Sequence, residues 1–349
     1  MSTLAPALSR SIMRRAAVAL LALPLLAAPA LATTIERVVS PGGIEGWLVH
    51  EPAVPMIAVD FAFVGGAAQD ALGKAGTATL VASLLDEGAG ELDAKTFHAR
   101  LERRAIELGF QAERDTLRGT LRTLTANKDE AFDYLRLALT QPRFDSSDVE
   151  VIRAQVLSLL RRAETSPTDI ANLRWWQVAF ADHPYGRPVN GTLESVPTVT
   201  VADLKDYTRR VLARGNLKVA VVGDIDAESV KVMLDRVFGG LPAQPELKPV
   251  PNVAPQGLGR RVVVKLDVPQ AVVTFGGPGI ARKDPDFMAA YIVITSSAAA
   301  RSRRGFTRKC GKSAGLLTRS MTAWSGSITA HCSSAARRRA PTGRARRWR

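Results

Sequence analysis

The chain has 349 residues, a formal net charge of +14 from 47 Lys and Arg against 33 Asp and Glu, and 46% hydrophobic residues. This length and hydrophobic content allow one large domain or two ordinary ones and exclude a disordered chain. Two cysteines exclude a disulfide scaffold, and a cysteine-based zinc module would need four ligands in a spacing that is absent.

Residues 1–32 have the pattern of a secretory signal peptide. Arg14 and Arg15 precede an apolar run that is followed by the small-x-small sequence at 30–32. The run is shorter than the roughly 20 residues that span a bilayer, and an uncleaved anchor is the alternative. We therefore expect cleavage after Ala32, a periplasmic or secreted protein, and no membrane attachment after cleavage.

Hydrophobic periodicity predicts a mixture of strands and helices after the signal. Strands are predicted at 37–39, 46–50, 56–64, 110–124 (a hairpin), 217–222, 261–266 and 271–275, and helices at 77–85, 94–105, 127–140 (capped by Asn127), 145–164, 168–181, 201–212, 227–238 and from 285 onward. Because strands and helices do not alternate strictly, the pattern predicts an α+β fold with a largely antiparallel sheet and helices packed on it.

The Pro- and Gly-rich stretch 242–258 predicts a linker between two units. It separates an N-terminal α+β domain at 33–241 from a segment at 259–293, where the strand pattern begins again. We expect 259–293 to be the start of a second domain.

The excess positive charge lies in a basic tail at 294–349. This tail contains 12 Arg and 2 Lys with no Asp or Glu, so that residues 1–293 are balanced at 33 basic and 33 acidic side chains. It has three interpretations: a nucleic-acid-binding arm, an unusual domain, or a stretch translated out of frame. The body at 33–293 carries a net charge of −3 and no cysteine, which suits export to an oxidising compartment. We therefore predict no nucleic-acid partner.

Three local sequences together resemble the pitrilysin/insulinase peptidases, specifically their bacterial half-length members, over about residues 35–293. The most specific is HPYGRPVNG, from His183 to Gly191, and the others are the Gly-rich turn at 65–67 and NLKVAVVGD at 216–224. The resemblance implies tandem two-layer α/β domains of the pitrilysin/mitochondrial-processing-peptidase type, with the second domain incomplete in this chain.

The family binds zinc through an inverted HxxEH motif on one helix, in which two histidines hold the metal and the glutamate acts as general base. Here Thr79 and Ser83 stand at the histidine positions, Ala82 stands at the glutamate position, and Leu159 or a neighbour stands where a distal carboxylate ligand would fall. Neutral hydroxyls and an alanine cannot hold zinc or accept a proton. The resemblance therefore implies that this chain has no catalytic residue, no bound metal and no cofactor.

The resemblance further implies a non-catalytic subunit that pairs with a zinc-bearing homologous subunit and helps to hold peptide substrates, with zinc only in the partner. One alternative is an active zinc metallopeptidase that uses atypical ligands. Another alternative is a nucleic-acid binder that acts through the basic tail.

Two carboxylates, Asp86 and Glu87, follow the degenerate motif. We interpret them as a solvated helix end rather than as substitute ligands. His50 and His98 are isolated in sequence, which predicts surface or packing roles. The remaining candidates are also predicted to be structural: His183 fixes its loop by hydrogen bonds, and Trp175 and Trp176 pack between helices.

A shift of the reading frame would explain the basic tail. In relatives of the family, the helix that follows AAYIV continues into a Gly-rich segment. Reading GC-rich codons for that segment one base late yields the sequences found at 298–305 and 313–321. We interpret 294–349 as out of frame after a one-base change near codon 294. Such a change would leave apolar surface and sheet edges of the second domain uncovered.

Overall fold

The computed structural model describes residues 34–268, 271–282, 284–299, 321–326 and 331–339. The predicted signal peptide and its cleavage after Ala32 lie outside these residues. So does most of the basic tail.

Nine strands and eight α-helices are found within the described ranges. The strands are Glu36–Val39 (β1), Glu45–His50 (β2), Met56–Val64 (β3), Glu107–Ala112 (β4), Thr116–Leu124 (β5), Leu217–Gly223 (β6), Ala271–Pro278 (β7), Met321–Gly326 (β8) and His331–Arg339 (β9). The helices are Thr77–Ala82 (α1), Ala94–Arg103 (α2), Lys128–Thr140 (α3), Ser146–Ala163 (α4), Pro167–Ala179 (α5), Val201–Val211 (α6), Ala227–Phe238 (α7) and Phe287–Ala299 (α8).

Six strands form one sheet in the order β1-β2-β6-β3-β5-β4. Only β2 and β6 pair in parallel, and every other neighbouring pair in this sheet is antiparallel. The predicted α+β fold with a largely antiparallel sheet is therefore confirmed.

The two faces of this sheet differ because apolar and polar side chains alternate along its strands. In β3, Ile57, Val59, Phe61 and Phe63 are buried, whereas Asp60 between them is exposed. The buried face forms one continuous core with residues of α1, α3, α6 and α7. The result is a two-layer unit with helices on one face of the sheet and an open face opposite.

Local capping fixes the starts of several helices. At α6, Thr200 and Asp203 form a reciprocal capping box, and at α7 the Asp226 side chain accepts from the main-chain N–H of Ser229. The prediction that Asn127 caps α3 is wrong. Its side chain accepts no hydrogen bond from the helix, and its amide nitrogen instead donates to the main-chain oxygen of Arg104 at 2.8 Å.

Two predicted elements differ from the structure. Helix α1 ends at Ala82 rather than at residue 85, and a tight turn follows in which the main-chain N–H groups of Leu84 and Leu85 bond to Val81. The strand predicted at 261–266 is wrong. This segment belongs to no sheet, because apolar alternation makes a strand only where a neighbouring strand supplies hydrogen bonds.

A second, three-stranded sheet has the order β7-β9-β8, and both of its pairings are antiparallel. Its strands β8 and β9 lie within the basic tail. The described residues 239–268 contain no helix and no multi-residue strand, and the boundaries 33–241, 242–258 and 259–293 stay predictions. Within the described ranges, every helix is too short or too polar to cross a bilayer.

Candidate functional site

Helix α1, which carries the degenerate motif, begins at a buried carboxylate. The side chain of Asp70 accepts from the main-chain N–H groups of Gly76 at 2.8 Å and Ala78 at 2.9 Å. Burial raises the pKa of Asp70 to about 7, against the opposing effects of these amides and of the charge of Arg187. Asp70 therefore fixes the start of the helix by satisfying main-chain donors that no preceding turn can pair.

The motif positions lie on α1 and its C-cap in the arrangement that the sequence predicts. Thr79 and Ser83 are one turn apart, joined by a main-chain hydrogen bond of 3.0 Å, and both are half-buried. Ala82 is 3% exposed, and its methyl group packs in the core. The Thr79 hydroxyl donates to the main-chain oxygen of Val189 at 2.9 Å, so it is engaged in holding a loop.

The chemistry available at these positions is limited to hydrogen bonding. Leu159, near the expected distal ligand position, is an apolar side chain that is 59% exposed. In the parts of the chain that the structure describes, no group of three or more His, Cys, Asp or Glu is placed to hold a metal ion. The hydroxyls of Thr79 and Ser83 are poor zinc ligands at neutral pH, and Ala82 has no group that can accept a proton.

The HPYGRPVNG loop is the main support of α1. Arg187 donates to the main-chain oxygens of Asp70 at 2.8 Å and Ala68 at 3.3 Å. Gly191, with φ of +77°, brings the loop so close to Ala75 that a Cβ at this position would clash with its main chain. The loop and the first turn of α1 therefore form one unit.

His183 has the structural role that was predicted. Its Nδ1 accepts from the main-chain N–H of Tyr185 at 3.2 Å, and Nε2 lies 3.0 Å from the main-chain oxygen of Pro251. These contacts place the ring proton on Nε2, which donates to Pro251. Tyr185 is fully buried, and its hydroxyl donates to Asp115 at 2.6 Å.

Trp175 and Trp176 pack in an aromatic cluster, but not between helices as predicted. Trp176 stacks on Phe180 with ring centroids 5.3 Å apart, and the Arg114 guanidinium lies 3.5 Å from the centroid of the Trp176 ring. Val250, in the predicted linker, packs against the same cluster. The tryptophans therefore join α5 to the loop and to the linker, which only the tertiary fold brings together.

The carboxylates after α1 are less exposed than a solvated helix end would be. The pKa of Asp86 is raised to about 6, mainly by burial; the charge of Glu87 acts in the same direction, whereas a main-chain hydrogen bond and His98 oppose it. His98 is not isolated, because its Nε2 lies 3.2 Å from a carboxylate oxygen of Glu87. His50 is exposed, and its Nδ1 lies 2.8 Å from the main-chain oxygen of Ile225, in agreement with a surface role.

The open face of the six-stranded sheet carries a shallow groove of about 730 Å³ that sequence reasoning missed. Trp47, Ala220, Asp60, Thr120 and Gly109 follow one another across five neighbouring strands. The alternation of each strand indicates that these side chains share a face. Their order across the sheet depends on long-range pairing, which the sequence alone does not reveal.

Comparison with known proteins gives a family for this arrangement. Residues 198–294 match the family described as "Peptidase M16 inactive domain". A Helicobacter pylori protein named "Non-peptidase homolog YmxG" is 31% identical over 225 residues, which are 64% of this chain and 52% of that protein. The yeast "Mitochondrial-processing peptidase subunit beta" is 22% identical over 221 residues, 62% of this chain and 47% of that protein. The chain thus spans about half the length of these relatives.

Solved structures share the fold. A crystal structure from Pseudomonas fluorescens, described as a peptidase M16 inactive domain, superposes with a TM-score of 0.77 at 21% identity, over 88% of this chain and 74% of that one. This likeness confirms the predicted pitrilysin-type fold class with an incomplete second domain. With the degenerate motif on α1, the comparisons describe a non-catalytic, pitrilysin-like protein. In sequence over part of its length, and in fold, the chain is similar to peptidases of the pitrilysin/insulinase (M16) family.

Proposed function

We propose that this chain is a non-catalytic subunit that pairs with a zinc-bearing homologous subunit in the degradation or processing of peptides. The observation that carries the proposal is helix α1. It keeps its place in the fold through Asp70 and the HPYGRPVNG loop, yet it presents Thr79, Ala82 and Ser83 where zinc chemistry needs two histidines and a glutamate.

A family-like scaffold without metal ligands is what we expect of a subunit that shapes a chamber around another subunit's site. One relative is itself named as a subunit of a processing peptidase, and another is named as a non-peptidase homolog. In this scheme the partner supplies zinc and the general base, and this chain supplies surface that holds the peptide.

Metal analysis and peptide cleavage test the proposal. The purified chain should contain no stoichiometric zinc and should cleave no peptide alone, whereas mixing with an HxxEH-bearing homologue encoded beside it should give zinc-dependent cleavage. As matched controls, Thr79→Ala in this chain should leave the activity of the mixture unchanged, and Glu→Gln in the partner's HxxEH should abolish it. Stoichiometric zinc with cleavage by this chain alone would instead establish a metallopeptidase with atypical ligands.

We also propose that the protein is periplasmic or secreted after cleavage following Ala32. Support comes from the signal pattern at 1–32 and from the cysteine-free body at 33–293. Cell fractionation and N-terminal sequencing test this, and the mature protein should begin at Thr33. Ala32→Arg should block cleavage, because signal peptidase requires a small residue there. A cytoplasmic full-length product would contradict export.

We further propose that 294–349 is encoded out of frame. The family match stops at residue 294, and the acidic residues stop upstream of the same position. Resequencing the locus and mass spectrometry of C-terminal peptides test this point. Restoring the frame by one base should give a second domain that contains acidic residues. An intact frame, together with relatives that share this tail, would refute the proposal.

A further inference from the structure

The segment Arg261–Asp267 has the sequence pattern of a strand, but none of the described strands pairs with it. It lies in no helix or sheet of the described structure, and the main-chain hydrogen bonds found in the described residues do not involve it. Val262, Val264 and Leu266 are 48%, 46% and 40% exposed. An exposed, largely apolar segment that lies outside the described sheets can pair, as a strand, with another chain.

When two copies of this segment are aligned antiparallel, side chains of opposite charge and apolar side chains lie opposite one another. In an antiparallel pair centred on Val264, Val262 lies opposite Leu266 of the second strand, and Val264 lies opposite itself. Arg261 lies opposite Asp267 at both ends, which gives two cross-strand ion pairs related by symmetry. The register centred on Leu266 would instead place Lys265 opposite Asp267 and Val264 opposite Val268, so the two registers are distinguished by whether Arg261 or Lys265 pairs with Asp267.

We propose that two copies of this chain associate through antiparallel pairing of residues 261–267 about a two-fold axis at Val264. Such an interface is isologous, since each copy offers the same strand to the other. One face of the paired strands is the apolar set Val262, Val264 and Leu266 from both copies, and the Arg261–Asp267 pairs lie at the two ends of the pair. Leu258, three residues before the segment, is 64% exposed and offers further apolar surface to bury.

The inference does not depend on the proposed function, because it concerns a surface remote in sequence from the degenerate motif. A charge swap in the full chain, followed by sedimentation equilibrium, tests it. Arg261→Asp and Asp267→Arg each place like charges opposite one another at both ends of the pair, and each should weaken dimerisation by about tenfold. The double variant Arg261→Asp/Asp267→Arg should restore the wild-type dissociation constant to within about threefold. A wild-type chain that stays monomeric, or a double variant no tighter than the singles, would overturn the proposal.

Disulfide trapping tests the register independently. In a Cys310→Ser/Cys332→Ser background, Val264→Cys should give a disulfide-linked dimer, because position 264 lies opposite itself. Val262→Cys is equally exposed and on the same face, but its symmetry mate lies four residues further along the strand, beyond the reach of a disulfide. Val232→Cys, on α7, gives the baseline for collisional cross-linking. Equal cross-linking at 262 and 264 would refute the register.

Discussion

Arg187 donates a hydrogen bond from Nη1 to the main-chain oxygen of Asp70 at 2.8 Å, across 117 positions of sequence. Asp70 in turn holds the first turn of α1 through its carboxylate. The HPYGRPVNG loop and the motif helix are therefore joined by hydrogen bonds that need no zinc ligand, which is compatible with a motif of Thr79, Ala82 and Ser83 in an intact fold.

Arg187→Ala should destabilise the protein by about 1–3 kcal/mol. The substitution removes the donors to the main-chain oxygens of Asp70 and Ala68 and leaves both oxygens without that partner in a partly buried site. Urea unfolding measures the change. The exposed Arg122→Ala, which loses only a 3.7 Å surface ion pair, should stay within about 0.5 kcal/mol of wild type. Equal effects of the two substitutions would contradict this role of Arg187.

Asp70 should make the protein less stable as pH rises from 4 to 7. Its pKa is raised from an ordinary value of 3.8 to about 7, mainly by burial, so the folded state binds the proton more tightly than the unfolded state does. This contribution is complete below pH 4 and is lost as pH rises through 7. Relative to Asp70→Asn, wild type should lose on the order of 3 kcal/mol across this window.

The pKa of Asp226 is shifted in the opposite direction to that of Asp70, so its effect on stability has the opposite dependence on pH. Hydrogen bonds from the main-chain N–H and hydroxyl of Ser229 hold the pKa of Asp226 below its usual value, so its contribution is present above pH 4 and is lost only in more acid solution. Asp226→Asn should therefore leave the dependence of the unfolding free energy on pH unchanged between pH 4 and 7. Unfolding by urea at stepped pH distinguishes the two profiles, and parallel profiles for wild type and Asp70→Asn would show that Asp70 does not titrate there.

Tyr185→Phe should cost about 1–2 kcal/mol in the free energy of unfolding. The ring stays in its aromatic cluster, but the 2.6 Å hydrogen bond from its hydroxyl to Asp115 is lost in a buried site. A neutral Tyr185→Phe would show that the hydroxyl contributes no net stability.

Thr79→His/Ser83→His should create a zinc site that wild type lacks. Two histidines one turn apart on the half-buried side of α1 supply two nitrogen ligands to a single ion. If the dissociation constant is about 10 μM, 1 mM zinc should stabilise the double variant by about 2.7 kcal/mol. Thermal melts with and without zinc measure this, and each single variant should respond far less. Equal responses of the single and double variants would mean that the two side chains do not share one ion.

Prediction from sequence succeeded for most elements that have a local signal. Alternation along 56–64 and 217–222 identified β3 and β6, and the helices at 201–212 and 227–238 were found to within a residue, because their apolar faces repeat at helical spacing. The segment 261–266 has the same alternation and is not a strand. Periodicity shows which side chains share a face and does not show whether a neighbouring strand exists.

At the candidate site, too, some features could be predicted from the sequence and others could not. The sequence alone shows which side chains stand at 79, 82 and 83, and these decide whether zinc chemistry is available. It also shows the change of composition at residue 294. The contacts of Arg187 with Asp70, of Thr79 with Val189, and of Trp176 with Arg114 were decided only by the tertiary structure. They join residues that are 62 to 117 positions apart, and such contacts depend on how strands and loops pack rather than on any local pattern.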